Sequence, residues 1–397
     1  MLEGLKVVEY ATYVAAPGAG GIMADWGAAV VKVEPPGGDP IRQFFATVGV
    51  EFDGNPVFDL DNRGKRSIIL DTAQASGRAA LVKLAEGADV FLTNVRPGGL
   101  ARAGLDYGAL AARNPRLIYA TLTGYGLDGP GADWAGMDTA AFWARTGLAA
   151  LFSFKGGDPV PLRTAFGDHV AATATAAGIL AALYERERTG RGRVVEASLL
   201  RAATYAAGSD LALQHVLGRT ASNRARAQSA NPLINHFKAK DGRWICLIMR
   251  QGSRDWPLLC RALKREALAD DPRFNSTKLR RENREALVAL LDEAFAGFSA
   301  EEIGQALTAE DIVWAPVLTA AEAITDPQAI AAGCVVQTPA PGGGSFPAPA
   351  GPIRFPGADD GPKGPAPRAG EHTRAVLSEI GYAAADIDEM LASGAAA

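Results

Sequence analysis

Short apolar runs alternate with amphipathic stretches along the first 200 residues. Leu5–Tyr10 (LKVVEY) is rich in β-branched valine and reads as a buried strand. Ala29–Glu34, Ser67–Leu70, Ala88–Thr93, Leu117–Leu122 and Arg193–Ala197 repeat that pattern. Between them, Gly20–Trp26, Gly77–Glu86 and Leu105–Arg113 carry apolar residues at helical spacing. The residues after the first run, ATYVAAPGAGG, read as a loop. Thr139–Ala150, the Ala-rich Asp168–Glu187 and Ser198–Val216 read as further helices. Strands alternating with helices predict an α/β fold on a mostly parallel sheet, with ligands at the carboxyl ends of the strands.

The pattern changes near residue 220. His236–Lys240 and Trp244–Met249 flank Asp241-Gly242 and predict a hairpin. Trp256–Lys264, Arg284–Ala296 and Ala300–Leu307 are amphipathic helices. The expected division is 1–224 as one part of a large α/β domain, 225–325 as a small inserted α+β domain, and 326–397 as a crossing segment and closing part. Gln337–Ala369, rich in Pro and Gly, reads as extended chain, and His372–Ile380 and Ala384–Ala392 as closing helices.

Composition narrows the classes. The 397 residues are 48% hydrophobic and 21% charged, which excludes wholesale disorder, collagen and coiled coil. Lys and Arg total 40 against 44 Asp and Glu, a net charge of -4, so nucleic acid is not an expected partner. No run of 18 uninterrupted apolar residues suggests a membrane span, and MLEGLKVVEY reads as the start of a fold rather than a signal peptide. A cytoplasmic location is the resulting expectation. Three cysteines and four scattered histidines give no metal-ligand spacing, so no metal is expected.

Four features carry candidate chemistry. Gly18-Ala19-Gly20-Gly21 after the first strand reads either as a phosphate loop or as a turn packing a helix on the sheet; its spacing is not GxGxxG. Lys32, Arg42, Arg63, Lys65, Arg66, Arg96 and Arg102 lie in or beside the strands, where a parallel sheet would gather several along one edge to bind phosphates. Asp168, in Ala165-Phe166-Gly167-Asp168-His169, opens a long helix as an N-cap or as a carboxylate nucleophile, with Gly167 leaving room for substrate. Met137, Asp138, Phe142, Trp143 and Arg145 form either core or the wall of a substrate pocket.

The segments LEGLKVVEYATYVAAPGAGGIMADWGAAVVKVEPPGGDPIR, NRGKRSIILD, ADVFLTNVRPGGLARAGLDY, NPRLIYATLTGYGLDGP, GDHVAATATAAGILAALYERERTGRGRVVEASLL, KAKDGRW and PRAGEHTRAVLSEIGY, in this order, resemble the family III CoA-transferases, which include formyl-CoA transferase and carnitine CoA-transferases. The resemblance runs nearly end to end. It implies a large Rossmann-like domain built from both chain ends, a small inserted domain, and an interlocked, ring-like homodimer. It implies Asp168 as the catalytic nucleophile and coenzyme A as co-substrate, with an acyl-CoA donor and a carboxylate acceptor as partners. By position it assigns Val14, Ala15, Arg42, Lys65, Arg66, Asn94, Val95 and Arg102 to CoA, and Asp138 to the active-site edge.

Two departures from formyl-CoA transferase bear on substrate. Its glycine run is replaced here by Ser229–Ile234, and a glutamine near the formyl pocket is replaced by Val14. With the Ala141–Arg145 segment, these imply an organic acid larger than formate or oxalate, aromatic and 2-hydroxy acids among the candidates. The related α-methylacyl-CoA racemases are the alternative. They place a proton-transferring histidine where this chain has Met137, which cannot exchange protons.

Overall fold

The computed structural model describes residues 1–50, 54–220, 223–249 and 252–397. Among them, six strands form one parallel sheet: β1 (Lys6–Tyr10), β2 (Ala29–Glu34), β3 (Arg66–Ile69), β4 (Val90–Thr93), β5 (Ile118–Thr123) and β6 (Val194–Ser198). Their order is β3-β2-β1-β4-β5-β6, every neighbouring pair parallel. The order reverses between β1 and β4. Chains leaving those two strands at their carboxyl ends diverge and open a crevice there.

Both chain ends feed the core on one face of this sheet. Val8, Phe91 and Tyr119 pack there with Val376, Leu377, Ile387 and Met390. The closing helices Thr373–Glu379 and Ala384–Ala392 carry those last four residues. On the other face lies helix Ala15–Asp25, packed against the long helix Phe166–Thr189. The long helix is apolar and long enough to cross a membrane by length and composition, with Ala171, Ala172, Thr175, Ala176 and Ile179 buried in the protein.

The chain divides into two compact units. One holds Met1–Ala150, Val160–Thr220 and Asp326–Ala397; the other holds Leu151–Pro159 and Ala221–Thr325. The second unit contains an antiparallel sheet of β7 (Ile234–Lys238), β8 (Trp244–Ile248) and β9 (Val313–Pro316). Phe237 stacks on Phe295 at 4.6 Å in a core that includes Leu247, Trp256 and Leu291.

Several elements differ from the sequence expectation. The first helix begins at Ala15 rather than Gly20. Pro17 is tolerated because backbone N–H groups in a helix's first turn have no intrahelical acceptor to lose. Gly18, Gly20 and Gly21 therefore lie buried inside a helix, not in a phosphate loop. Thr139–Ala144 forms a π-helical turn, and a separate short helix follows at Leu148–Phe152. Ser198–Val216 divides into Leu199–Ala206 and Gly208–Leu217. The Pro/Gly-rich region is not wholly extended crossing chain, because β10 (Val335–Pro339) pairs with β11 (Ser345–Pro349) as a hairpin.

Candidate active site

A buried lattice of ion pairs fixes the loops at the carboxyl end of the sheet. Glu9, on β1, accepts from Lys32 Nζ at 3.1 Å and from Lys65 Nζ at 2.6 Å. Burial pushes the Glu9 carboxyl up, but the two ammonium groups outweigh it and hold the group below its usual range. Lys32 also pairs with Asp39 at 2.7 Å. Asp39 Oδ1 then accepts from the backbone N–H of Tyr13 and of Ile41, at 3.0 and 3.1 Å. Asn94 clamps the same β1 loop from the other side, donating to Thr12 O at 2.6 Å and accepting from Thr12 N at 3.1 Å. Tyr13 is thereby held at φ 65°, a conformation a non-glycine residue keeps only when its surroundings enforce it.

Asp168 stands in the first turn of helix Phe166–Thr189. The turn enters through Ala165 at φ 58°, which aims the chain sharply into the helix. Asp138 fixes this entry: one carboxylate oxygen accepts from Thr139 N at 2.7 Å and the other from Gly167 N at 3.2 Å. A Cβ on Gly167 would lie 2.7 Å from Phe142 Cγ and 3.0 Å from Asp138 Cβ. The glycine thus makes room for the protein's own π-turn rather than for substrate. Its N–H is already committed to Asp138 and is no free oxyanion donor.

The electrostatics set Asp168 apart. Burial pushes its carboxyl up and the Asp138 carboxylate adds to the shift, while His169 opposes it; the pKa stands at about 7. His169 Nε2 lies 3.1 Å from the buried Asp61 Oδ1, and this hydrogen bond raises the imidazole above its usual pKa. A carboxyl group poised near neutrality in a cleft fits a nucleophile or a proton-transfer group.

Asp168 lines a cavity of about 610 Å³. The cavity lies where β1, β4 and β5 end, and Val14, Ala15, Asn94, Val95, Met137 and Asp138 line it with Asp168. Eight of the residues singled out from sequence, Arg96 among them, are thus brought to one cavity. The others lie elsewhere. Lys65 is fully buried, donating to Glu9, Pro17 O and Asn62. Arg42 forms a two-nitrogen pair with Glu34, at 2.7 and 2.6 Å, and borders a different cavity. Arg66 pairs with Glu379 at 2.8 Å. Arg102 lies with Val95 and Arg96 on an adjoining cavity of about 320 Å³. Trp143 is buried and its Nε1 donates to Val160 O at 2.6 Å. Lys32 and Arg63 are likewise buried in ion pairs, so the seven basic residues do not gather at one edge.

The cavity also recruits Ile41, Phe44, Val57, Trp134 and Leu199, which sequence reasoning passed over. Trp134 lies in a glycine-rich loop with no periodicity to mark it. Phe44 and Val57 lie between β2 and β3, in the short helices Phe44–Thr47 and Pro56–Asn62. Their one shared signal is position, in segments following strands at the carboxyl edge.

A reversing parallel sheet, with a near-neutral aspartate at a helix start above its switch point, defines an α/β enzyme with a carboxylate-centred cleft. Similarity to known proteins narrows the class. The chain belongs to CoA-transferase family III, whose sequence model matches residues 2–373. It is 33% identical over 384 residues to (R)-2-hydroxy-4-methylpentanoate CoA-transferase of Clostridioides difficile, covering 96% of each chain. It is 32% identical over 394 residues to cinnamoyl-CoA:phenyllactate CoA-transferase of Clostridium sporogenes, covering 98% of this chain and 96% of that one. The crystal structure of a CAIB/BAIF family protein from Brucella suis superposes with a TM-score of 0.83 at 32% identity, covering 96% of this chain and 99% of the other.

Proposed function

We propose that this enzyme transfers CoA from an acyl-CoA to a free organic acid larger than formate or oxalate, with Asp168 as covalent nucleophile. Family membership supports CoA transfer. The observation that carries the assignment of Asp168 is its place on the 610 Å³ cavity with a pKa of about 7. A group half-ionised at neutrality supplies carboxylate without being so stable an anion that it will not attack.

The reaction runs in two halves. An Asp168 carboxylate oxygen attacks the donor thioester carbonyl, and the C–S bond breaks to give an acyl–aspartyl anhydride and CoA thiolate. The thiolate attacks the aspartyl carbonyl and releases the donor acid, leaving an aspartyl-CoA thioester. The acceptor carboxylate attacks that thioester, re-forming an anhydride and thiolate. The thiolate then attacks the acceptor's acyl carbon, giving the new acyl-CoA and free Asp168. A carboxylate is required because the anhydride must form reversibly; serine would give a stable ester. CoA must stay bound throughout, so that its thiolate acts at high effective concentration.

In this reading Val14, Ala15, Asn94 and Val95 hold the thioester arm along the cavity. Arg102, beside Arg96 on the adjoining cavity, meets the phosphates. Two copies of the chain form the interlocked dimer that the family resemblance implies. The test is intact mass after incubation with a panel of acyl-CoAs, wild type beside Asp168→Ala. A CoA or acyl adduct mapping to Asp168 and missing in the variant is expected, with CoA binding retained. The helix cap is Ala165 rather than Asp168, so loss of CoA binding in the variant would favour a structural role for Asp168 in the first turn instead.

A further inference from the structure

The walls of the Asp168 cavity are chemically one-sided. Ile41, Phe44, Val57, Trp134, Met137 and Leu199 make its lining mainly apolar, and the uncharged polar residues Thr12, Tyr13, Asn94, Thr123, Thr139 and Thr164 complete it. Its acidic lining residues are Asp138 and Asp168, and Arg96 is the cation among the described lining residues. Arg96 lies on the Asn94–Arg96 stretch, where its Nη1 donates to Asp133 O at 3.4 Å, and it also borders the smaller cavity beside Arg102. It therefore faces the end of the cavity that we assign to CoA.

A transferred acid brings one carboxyl group that reacts at Asp168. Away from Arg96, a second carboxylate on the same acid would meet apolar side chains, uncharged hydroxyl and amide groups, or the Asp138 and Asp168 carboxylates, with no cation to pair with. Burying an unpaired anion is strongly unfavourable, and like charges at short range add to that cost. An apolar acyl chain in the same place instead loses water-exposed surface to a matching wall.

We propose that the acids handled by this enzyme are monocarboxylic, with a bulky apolar chain, and that Phe44, Val57, Trp134 and Met137 select them against dicarboxylates. The proposal rests on Asp168 being the site of CoA transfer. It concerns the identity of the acyl group, which that reading leaves open.

The test compares 3-phenylpropionyl-CoA and 4-methylpentanoyl-CoA with succinyl-CoA and glutaryl-CoA. Each is offered to the full chain, and the rate of the Asp168-dependent adduct is followed by intact mass. Adduct formation at least about 100-fold faster with the two apolar thioesters is the expected result. Equal or faster labelling by succinyl-CoA or glutaryl-CoA overturns the proposal and leaves the transferase reading intact. Bound CoA with no Asp168 adduct from any of the four overturns the transferase reading and this inference together. Phe44→Arg and, independently, the exposed Met137→Arg would set a cation in the wall. Each is expected to raise the succinyl-to-phenylpropionyl rate ratio at least about 10-fold. An unchanged ratio in a variant that still labels removes that residue from the selecting wall.

Discussion

Asp168 and Asp138 divide two tasks between two carboxylates. Asp138 is bonded to two backbone N–H groups and pins the helix entry; Asp168 is raised to about 7 by burial first and by Asp138 second. Because attack requires the ionised form, kcat/KM is expected to rise with pH through about 7 in the wild type. Asp138→Asn keeps an oxygen for the Gly167 N–H but removes the like charge. The acid limb of the pH profile should move to lower pH, by only part of the full shift, since burial remains. A limb that stays in place would assign the whole shift to burial. Stability follows the opposite sense. A carboxyl raised from 3.8 when unfolded to about 7 when folded binds more protons in the folded state. Its stabilising contribution is complete below the unfolded pKa and is lost as pH rises through 7. Asp168→Asn should therefore gain in melting temperature relative to wild type between pH 5 and pH 8. A pH-independent difference would contradict the raised pKa.

Helix Ala15–Asp25 shows how an element's glycines can mislead and still matter. A Cβ on Gly20 would lie 2.0 Å from Glu9 Oε2 and 3.2 Å from Lys65 Nζ. Gly20→Ala should thus break the buried Glu9–Lys65 pair, costing on the order of 3–5 kcal/mol in urea unfolding. It should also lower activity through the loosened β1 loop. An alanine tolerated without loss of stability would mean that the lattice does not hold the helix. The elements themselves were largely legible: the strand Ala29–Glu34 and the helix Ala384–Ala392 coincide with their sequence patterns, because apolar period and breakers agree there. The strand Val313–Pro316 was invisible, being four residues with a terminal proline. Asp168, Val14 and Asn94 were readable through family resemblance and strand ends. The ion pairs of Lys65 and Arg42 were not legible, because a charge's partners are set by register. Glu9 stands 56 residues from Lys65, and only the pairing of β1 with β2 and of β2 with β3 brings their neighbourhoods together.

At the scale of the whole molecule, a single chain leaves apolar surface without an evident role. Tyr205 is 89% exposed and Val216 76% exposed, and helix Gly208–Leu217 has no buried residue. Such side chains on neighbouring helices suit a protein interface, and the proposed interlocked dimer would cover surface of this kind. Interlocking makes a sharper prediction than dimerisation alone. Light scattering should give about twice the 41.3 kDa chain mass at all accessible dilutions. When tagged and untagged preparations are mixed, a dimer joined only by surface contacts exchanges subunits at its dissociation rate. Threaded rings exchange only when one chain unfolds, which is slow under native conditions. Mixed dimers should therefore be absent after days in buffer and appear after joint denaturation and refolding. Exchange in native buffer while both preparations stay folded would leave a dimer but exclude the threading. A monomeric mass with full transferase activity would exclude both, and would require Asp168 and its cavity to work within one chain.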